Sequence, residues 1–333
     1  MLQGKQSWIF QNSPKIISTG VVGGPFEAKG PLASDFDKLY DDIWIGEKTY
    51  EKAEKKLLED ACEIALEKGK FKKEDITFLL TGDLMNQIIS SSFCARTLGI
   101  PHLGLFGACS SSMESLSLAA QLIDSGAAKY ALAGATSHNV SVEKQFRYPT
   151  EYGSQKPPTS QWTVTGSGAS IISLEGNGPR VTSATIGRVV DMGITDPFNM
   201  GAAMAPAAAD TIIAHFNDLD RTPDYYDIIA TGDLGIIGHR IASDLLKDSN
   251  LQIPPSIFTD CGLLIYNEDQ PVQAGASGCG CSAIVTYGHF INRMKKGELR
   301  KILIVATGAL LSQLSFQQKE SIPCIAHAVS IEI

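Results

Sequence analysis

The tetrad Thr-Gly-Asp-Leu occurs twice, at 81–84 and again 150 positions later at 231–234, each time closing an apolar run. Residues 76–84 read Ile-Thr-Phe-Leu-Leu-Thr-Gly-Asp-Leu, and residues 226–234 read Tyr-Asp-Ile-Ile-Ala-Thr-Gly-Asp-Leu. A four-residue match constrains a fold only if its surroundings repeat as well, and they do. Upstream of the first copy, Lys52 to Leu66 places Ala53, Leu57, Leu58, Ala61, Ile64 and Ala65 on one helical face; upstream of the second, Ala207 to Phe216 repeats the theme with Ile212, Ile213 and Phe216. Downstream, each copy proceeds through a helix, a glycine turn around a Cys-Ser pair and a second long helix, Ser110 to Ser125 in one half and Cys281 to Lys296 in the other. Each long helix ends at a glycine, Gly126 or Gly297, ahead of an apolar strand, Tyr130 to Ala133 or Ile302 to Val305.

Short apolar strands alternating with amphipathic helices predict an α/β fold of parallel sheets covered on both faces. Two duplicated halves, 1–180 and 181–333, are expected to pack as a pseudo-dimer within one chain. Between the repeats, Thr163 to Leu174 reads as strand, Gly-rich turn and strand, and Val181 to Val190 as a further strand. Asn139 to Gln161, rich in Pro, Tyr, Lys and Gln, reads as an excursion over the surface.

The 333 residues are 44% apolar and 19% charged, enough to bury a large core. A formal charge of −8 and scattered Lys and Arg argue against a nucleic-acid surface, so an anionic ligand needs a local positive site. Seven cysteines at irregular spacing, with no secretory leader pattern at the N-terminus, read as reduced thiols. No stretch reaches the roughly 18 apolar residues that span a bilayer, so any membrane association is expected to be peripheral.

Cys109 is the leading site candidate. It lies in Gly104-Leu105-Phe106-Gly107-Ala108-Cys109-Ser110-Ser111-Ser112, where a short apolar run meets the start of a helix. A cysteine there has the helix dipole and unpaired backbone N–H groups beside it, with Ser110 and Ser111 as further hydroxyl donors; the bland alternative is a small buried hydrophobe. Cys279-Gly280-Cys281 invites a zinc reading, but no second pair with ligand spacing follows, so no metal site is expected.

The order of strand, Gly-x-Cys-Ser elbow, long helix and Gly166-Ser167-Gly168-Ala169, then a second copy with Gly275-Ala276-Ser277-Gly278 and a C-terminal strand, resembles the thiolase-like superfamily and is similar to ketoacyl-ACP synthase III. The resemblance covers Ile16 to Ile333 and implies a five-layered α-β-α-β-α core. Enzymes of that kind place a His after the second-half strand and an Asn or His in the following glycine loop; here those places hold Thr231-Gly232-Asp233-Leu234 and Val272 to Gly278, with neither. The expectation is therefore a non-catalytic descendant, with an acyltransferase using Cys109 as nucleophile, and His239 or His327 as base, as the alternative.

Within the superfamily, Gln161 to Gly166, Gly278 to Ala283 and the tail from Ile304 to Val329 resemble a branch found in spore-forming bacteria. That resemblance implies binding of dipicolinate (pyridine-2,6-dicarboxylate), free or as its calcium chelate, in support of its uptake into the developing spore. It implies a homodimer, placement at the spore inner membrane beside membrane proteins of a transport complex, and no cofactor apart from calcium carried by the ligand. For such a ligand the expected contacts are Cys109, Ser110, Ser111, Arg147, Trp162 and His327.

Overall fold

The structure is a computed structural model, and it describes residues 1–146 and 155–333. Five strands form a first sheet: β1 (Lys15–Gly23), β2 (Phe78–Gly82), β3 (His102–Gly104), β4 (Ala131–Ser137) and β5 (Gly166–Ser173), in the spatial order β1-β5-β4-β2-β3. The second repeats it: β6 (Arg180–Ile186), β7 (Ile228–Thr231), β8 (Phe258–Asp260), β9 (Lys301–Ala309) and β10 (Cys324–Glu332), ordered β6-β10-β9-β7-β8. The two runs meet at one pair, Arg180 opposite Lys15. The N-terminal strand Ser7–Ile9 pairs with β6, so the first residues pack on the second half.

The expectation of parallel sheets holds for part of each run. Strands β3, β2 and β4 are parallel, as are β8, β7 and β9, but β5 and β1, and likewise β10 and β6, run antiparallel to their neighbours. The reason lies in connectivity: only strands separated by a crossover helix are held parallel.

The helices are α1 (Tyr50–Gly69), α2 (Ile89–Leu98), α3 (Ser111–Asp124), α4 (Asn139–Phe146), α5 (Met200–Leu219), α6 (Gly235–Asp248) and α7 (Cys279–Ile284), the last continuing through a π-helical turn, Val285–Phe290, into Ile291–Lys295. α3 and α7 lie between the sheets, α1 and α2 cover the outer face of the first, and α5 and α6 cover the second, giving α-β-α-β-α. Duplication shows in the boundaries: α1 and α5 begin at 50 and 200, and β2 and β7 at 78 and 228.

α1 starts at Thr49, whose side chain accepts from the Lys52 N–H, and stops at Lys70 in the left-handed region (φ 58°). Its buried stripe is Ala53, Leu57, Leu58, Ala61 and Ala65, and each leucine contributes about 1.5–3 kcal/mol by leaving water. α3, by contrast, is buried nearly all round, because it packs both sheets and α7; Ser112 and Ser282 bridge the two central helices through their hydroxyls at 2.6 Å. The turn expected within Thr163 to Leu174 does not form. Gly166 and Gly168 lie in strand β5, and a Cβ at Gly168 would stand 2.8 Å from the Ala283 backbone, so that glycine serves close approach of α7 and not chain reversal.

Candidate functional site

Cys109 sits on a strained elbow. After β3 the chain turns through Ala108–Ser110, with Ala108 in the left-handed region at φ 50°, a conformation that costs a non-glycine residue about 1–2 kcal/mol. The turn is held from within: Ser110 Oγ donates to the Gly107 carbonyl (2.6 Å), Ser111 Oγ donates to the Ala108 carbonyl (2.8 Å) and accepts from the Gly107 N–H (3.1 Å). The hydroxyls of Ser110 and Ser111, expected as ligand donors, are thus engaged by the elbow's own backbone, and both residues are buried.

Asp233, the aspartate of the second Thr-Gly-Asp-Leu copy, lies near enough to Cys109 for its charge to act on the thiol. Asp233 Oδ1 accepts from Thr307 Oγ1 (2.7 Å), and Oδ2 accepts from the Gly278 N–H (2.9 Å) and Ser277 Oγ (3.1 Å). Burial raises the pKa of Asp233, and these donors oppose the rise by favouring the anion. Burial, and then the neighbouring Asp233 charge, push the Cys109 thiol well above its usual range. The sequence position at which a histidine is missing therefore holds a buried carboxylate bound by Thr307, Ser277 and the Gly278 N–H.

The two tetrads have diverged in use. Asp83 of the first caps its own helical segment, accepting from the N–H groups of Met85 (2.8 Å) and Ser91 (2.7 Å). In the second copy Asp260 takes that local role, accepting from the N–H groups of Leu234 (2.8 Å) and Gly235 (3.0 Å) and from Thr231 Oγ1 (2.6 Å). Asp233 is left to bind Thr307, Ser277 and the Gly278 N–H instead.

A cavity of about 340 Å³ opens over the elbow. Leu84, Phe106, Val142, Phe146, Phe198 and Met200 give it apolar walls, and Cys109, Gln161, Thr163 and Ser277 stand among its polar lining. Among the described residues no Lys, Arg, Asp or Glu lines it.

Of the six residues expected around a ligand, Cys109 lines this cavity. Trp162 does not; half-buried, it packs on Phe26 (5.0 Å between ring centroids) beneath the Lys156 ammonium, while its neighbours Gln161 and Thr163 reach the cavity instead. His327 lies elsewhere in the sheet, buried, with Nδ1 accepting from the Gly187 N–H and burial lowering its pKa to about 4. His239, the other histidine considered as a base, packs against Phe258 at 4.4 Å. Arg147 falls outside the described residues. Cys279 and Cys281 each donate to a backbone carbonyl, of Thr136 and Gly232, and among the described residues no cluster of His, Cys, Asp and Glu has a metal-holding arrangement.

Sequence reasoning missed Asp233, Gln161, Ser277 and Thr307. For Asp233 the signal was present in the repeated tetrad: an aspartate kept in both copies, in a strand-end position, is poised to serve a site.

A model of the family described as Stage V sporulation protein AD matches residues 4–332. A Bacillus subtilis (strain 168) protein of the same name is 54% identical over 331 residues, covering 99% of this chain and 98% of its own. Among solved structures, 3-oxoacyl-[acyl-carrier-protein] synthase III from Aquifex aeolicus VF5 superposes with a TM-score of 0.56 at 15% identity, over 96% of this chain and 100% of that one. Cerulenin-bound OleA from Xanthomonas campestris superposes with a TM-score of 0.63 at 14% identity, over 98% and 100%. These likenesses establish the thiolase-like fold.

The expectation of a non-catalytic chain is corrected. The fold is shared with a synthase, and Cys109 is kept buried at the base of a cavity, so a His and an Asn missing from two sequence positions are no ground for denying the chain chemistry. Among the described residues no helix is long and apolar enough to cross a membrane.

Proposed function

The chain belongs to the Stage V sporulation protein AD family, and on that premise we propose that it serves sporulation by holding dipicolinate, as its calcium chelate, in the cavity over Cys109. The observation that carries this reading is the absence of charge among the described residues of the cavity wall. A free dianion entering such a site sheds hydration that nothing there replaces. The one-to-one chelate of a dianion with a divalent cation has no net charge, and its flat ring suits walls of Phe106, Phe146 and Phe198. Calcium arrives with the ligand, and amide or hydroxyl oxygens such as those of Gln161 and Thr163 suit it as further contacts. The same reading has the chain acting as a homodimer, at the spore inner membrane, beside membrane proteins of a transport complex that carry the ligand across.

Calorimetric titration tests it. Saturable heat is expected when dipicolinate and calcium are supplied together, with far weaker heat from dipicolinate in the presence of a calcium chelator. Equal binding with and without calcium would reverse the charge argument, and no heat in either case would remove the ligand.

A second reading is favoured by the place of Cys109 on an elbow in the wall of an apolar cavity: Cys109 accepts an acyl group from a thioester. Intact mass after incubation with acyl-CoA is expected to rise by one acyl group, and not to rise in Cys109→Ser. An unchanged mass across short and long chains would exclude this reading.

A further inference from the structure

We propose that the buried polar face of the cavity selects its ligand by what the ligand donates: Gln161 and Ser277 offer oxygen lone pairs and no protons, and so form a neutral half-site for the calcium ion that dipicolinate carries in. The inference rests on the chelate reading for its natural ligand, but the polarity of the face follows from hydrogen bonds within the chain.

A short ladder sets the face. Trp162–Thr163 pairs in parallel with Ala276–Ser277, with Ser277 opposite Thr163. Side chains alternate along a strand, so Gln161, Thr163 and Ser277 turn to the cavity and Trp162 turns away to pack on Phe26. Together with the Cys109 thiol, these three make up the buried polar lining, while Gln313 and Gln317 stand exposed at the mouth.

The protons of two of them are already committed. Gln161 Nε2 donates to the carbonyls of Asp233 (2.6 Å) and Ala276 (3.0 Å), which uses both amide protons and leaves Oε1 buried without a partner among the described residues. Ser277 Oγ gives its one proton to Asp233 Oδ2 (3.1 Å), and Thr307 Oγ1 and the Gly278 N–H hold that carboxylate in place. Ser277 therefore meets the cavity with lone pairs. Thr163 has a hydroxyl that turns either way, and a thiol is a weak donor. A buried acceptor left unpaired is destabilising, and a bound donor or cation removes that cost.

Free dipicolinate presents two carboxylates and a ring nitrogen, all acceptors, so it sets oxygen against oxygen at this face. Calcium reverses the match. Gripped by the ring nitrogen and an oxygen of each carboxylate, it keeps positions open among its roughly six to eight for neutral oxygens such as a glutamine carbonyl and a serine hydroxyl. The chelate thus lies with its metal toward Gln161 and Ser277 and its ring against the apolar walls.

Two uncharged analogues of the same flat shape test the polarity without a metal: pyridine-2,6-dicarboxamide, which carries N–H donors, and dimethyl pyridine-2,6-dicarboxylate, which carries acceptors only. Calorimetric titration of the full chain with each, beside dipicolinate with calcium, is expected to show the diamide binding on the order of 10-fold more tightly than the diester. Gln161→Met and Ser277→Ala each remove one lone-pair oxygen, and each is expected to weaken the diamide and the chelate on the order of 10-fold while leaving the diester within about 2-fold. Should Gln161→Met fail to fold, Ser277→Ala makes the same comparison. A diester bound as tightly as the diamide overturns the proposal, as does a chelate indifferent to the substitutions; a loss shared equally by all three ligands marks a loosened fold and overturns it too. A preference for the diamide with a silent chelate would keep the acceptor face and remove dipicolinate as the ligand, and silence from all three would remove both.

Discussion

Gly308 on β9 runs so close to the elbow that a Cβ atom there would stand 2.1 Å from the Gly107 carbonyl oxygen. The same atom would lie 3.0 Å from the Ser110 nitrogen and 3.2 Å from that of Cys109. All three neighbours are backbone, in a turn already carrying Ala108 at positive φ, so none can swing aside as a side chain would. Gly308→Ala is expected to destabilise the chain by roughly 1–3 kcal/mol, the usual scale of overpacking, and to lower Tm by several degrees in a thermal melt. An unchanged Tm would mean that the elbow gives way freely.

Cys109 is small, buried and exposed only to the cavity, so the volume at this position controls what enters. Cys109→Ala is expected to weaken calcium-dipicolinate binding moderately, since it removes sulfur contacts from the cavity wall. Cys109→Trp is expected to abolish binding by filling the cavity while circular dichroism stays native. Equal binding by the two variants would move the ligand away from the elbow.

How far the sequence could be read is clearest in the elements themselves. The repeated tetrad, the helix pattern before it and the positive-φ stops at Gly126 (76°) and Gly297 (77°) are local signals, and each appears in the structure where the residues predict it. Gly166 and Gly168 misled because a glycine pair signals a turn locally, whereas the use of Gly168 here depends on the Ala283 backbone more than 100 residues away. The bond from the Gly278 N–H to Asp233 was hidden for the same reason: it joins a strand end to a glycine loop 45 residues on, and no periodicity reports on that. His327, conversely, looked like a site residue because its strand does approach the elbow; which side of a strand a side chain takes is decided by register, and here it turns to Gly187.

Burial raises the Glu27 pKa to about 7, against the donors Tyr266 Oη and the Thr165 N–H that favour its anion. A carboxyl raised in the folded state binds a proton that the unfolded chain has released, so its contribution to stability is full below about pH 4.5 and is lost as pH rises through about 7. Across that window Glu27 makes up to about 3 kcal/mol of difference, and Asp260, also raised to about 7 by burial, adds in the same direction. Glu27→Gln is expected to lose less stability than wild type between pH 5 and pH 8, measured as the shift of the urea midpoint. Identical pH dependence in the two proteins would mean that Glu27 ionises as if exposed.

Gln161 joins the cavity to the Asp233 loop. Its Nε2 donates to the carbonyls of Asp233 (2.6 Å) and Ala276 (3.0 Å), pinning the amide where the short Trp162–Thr163 strand pairs with Ala276–Ser277. Its Oε1 is buried with no partner, and the residue lines the cavity. Replacing the amide by a carboxylate sets oxygen against two carbonyl oxygens and adds a charge to a site with none, whereas truncation only leaves the carbonyls unpaired, at about 1–3 kcal/mol. Gln161→Glu is therefore expected to be less stable than Gln161→Ala at pH 8, and both are expected to bind the calcium chelate more weakly than wild type. If Gln161→Glu melts at or above Gln161→Ala and binds as wild type does, the amide holds neither the Asp233 loop nor the ligand.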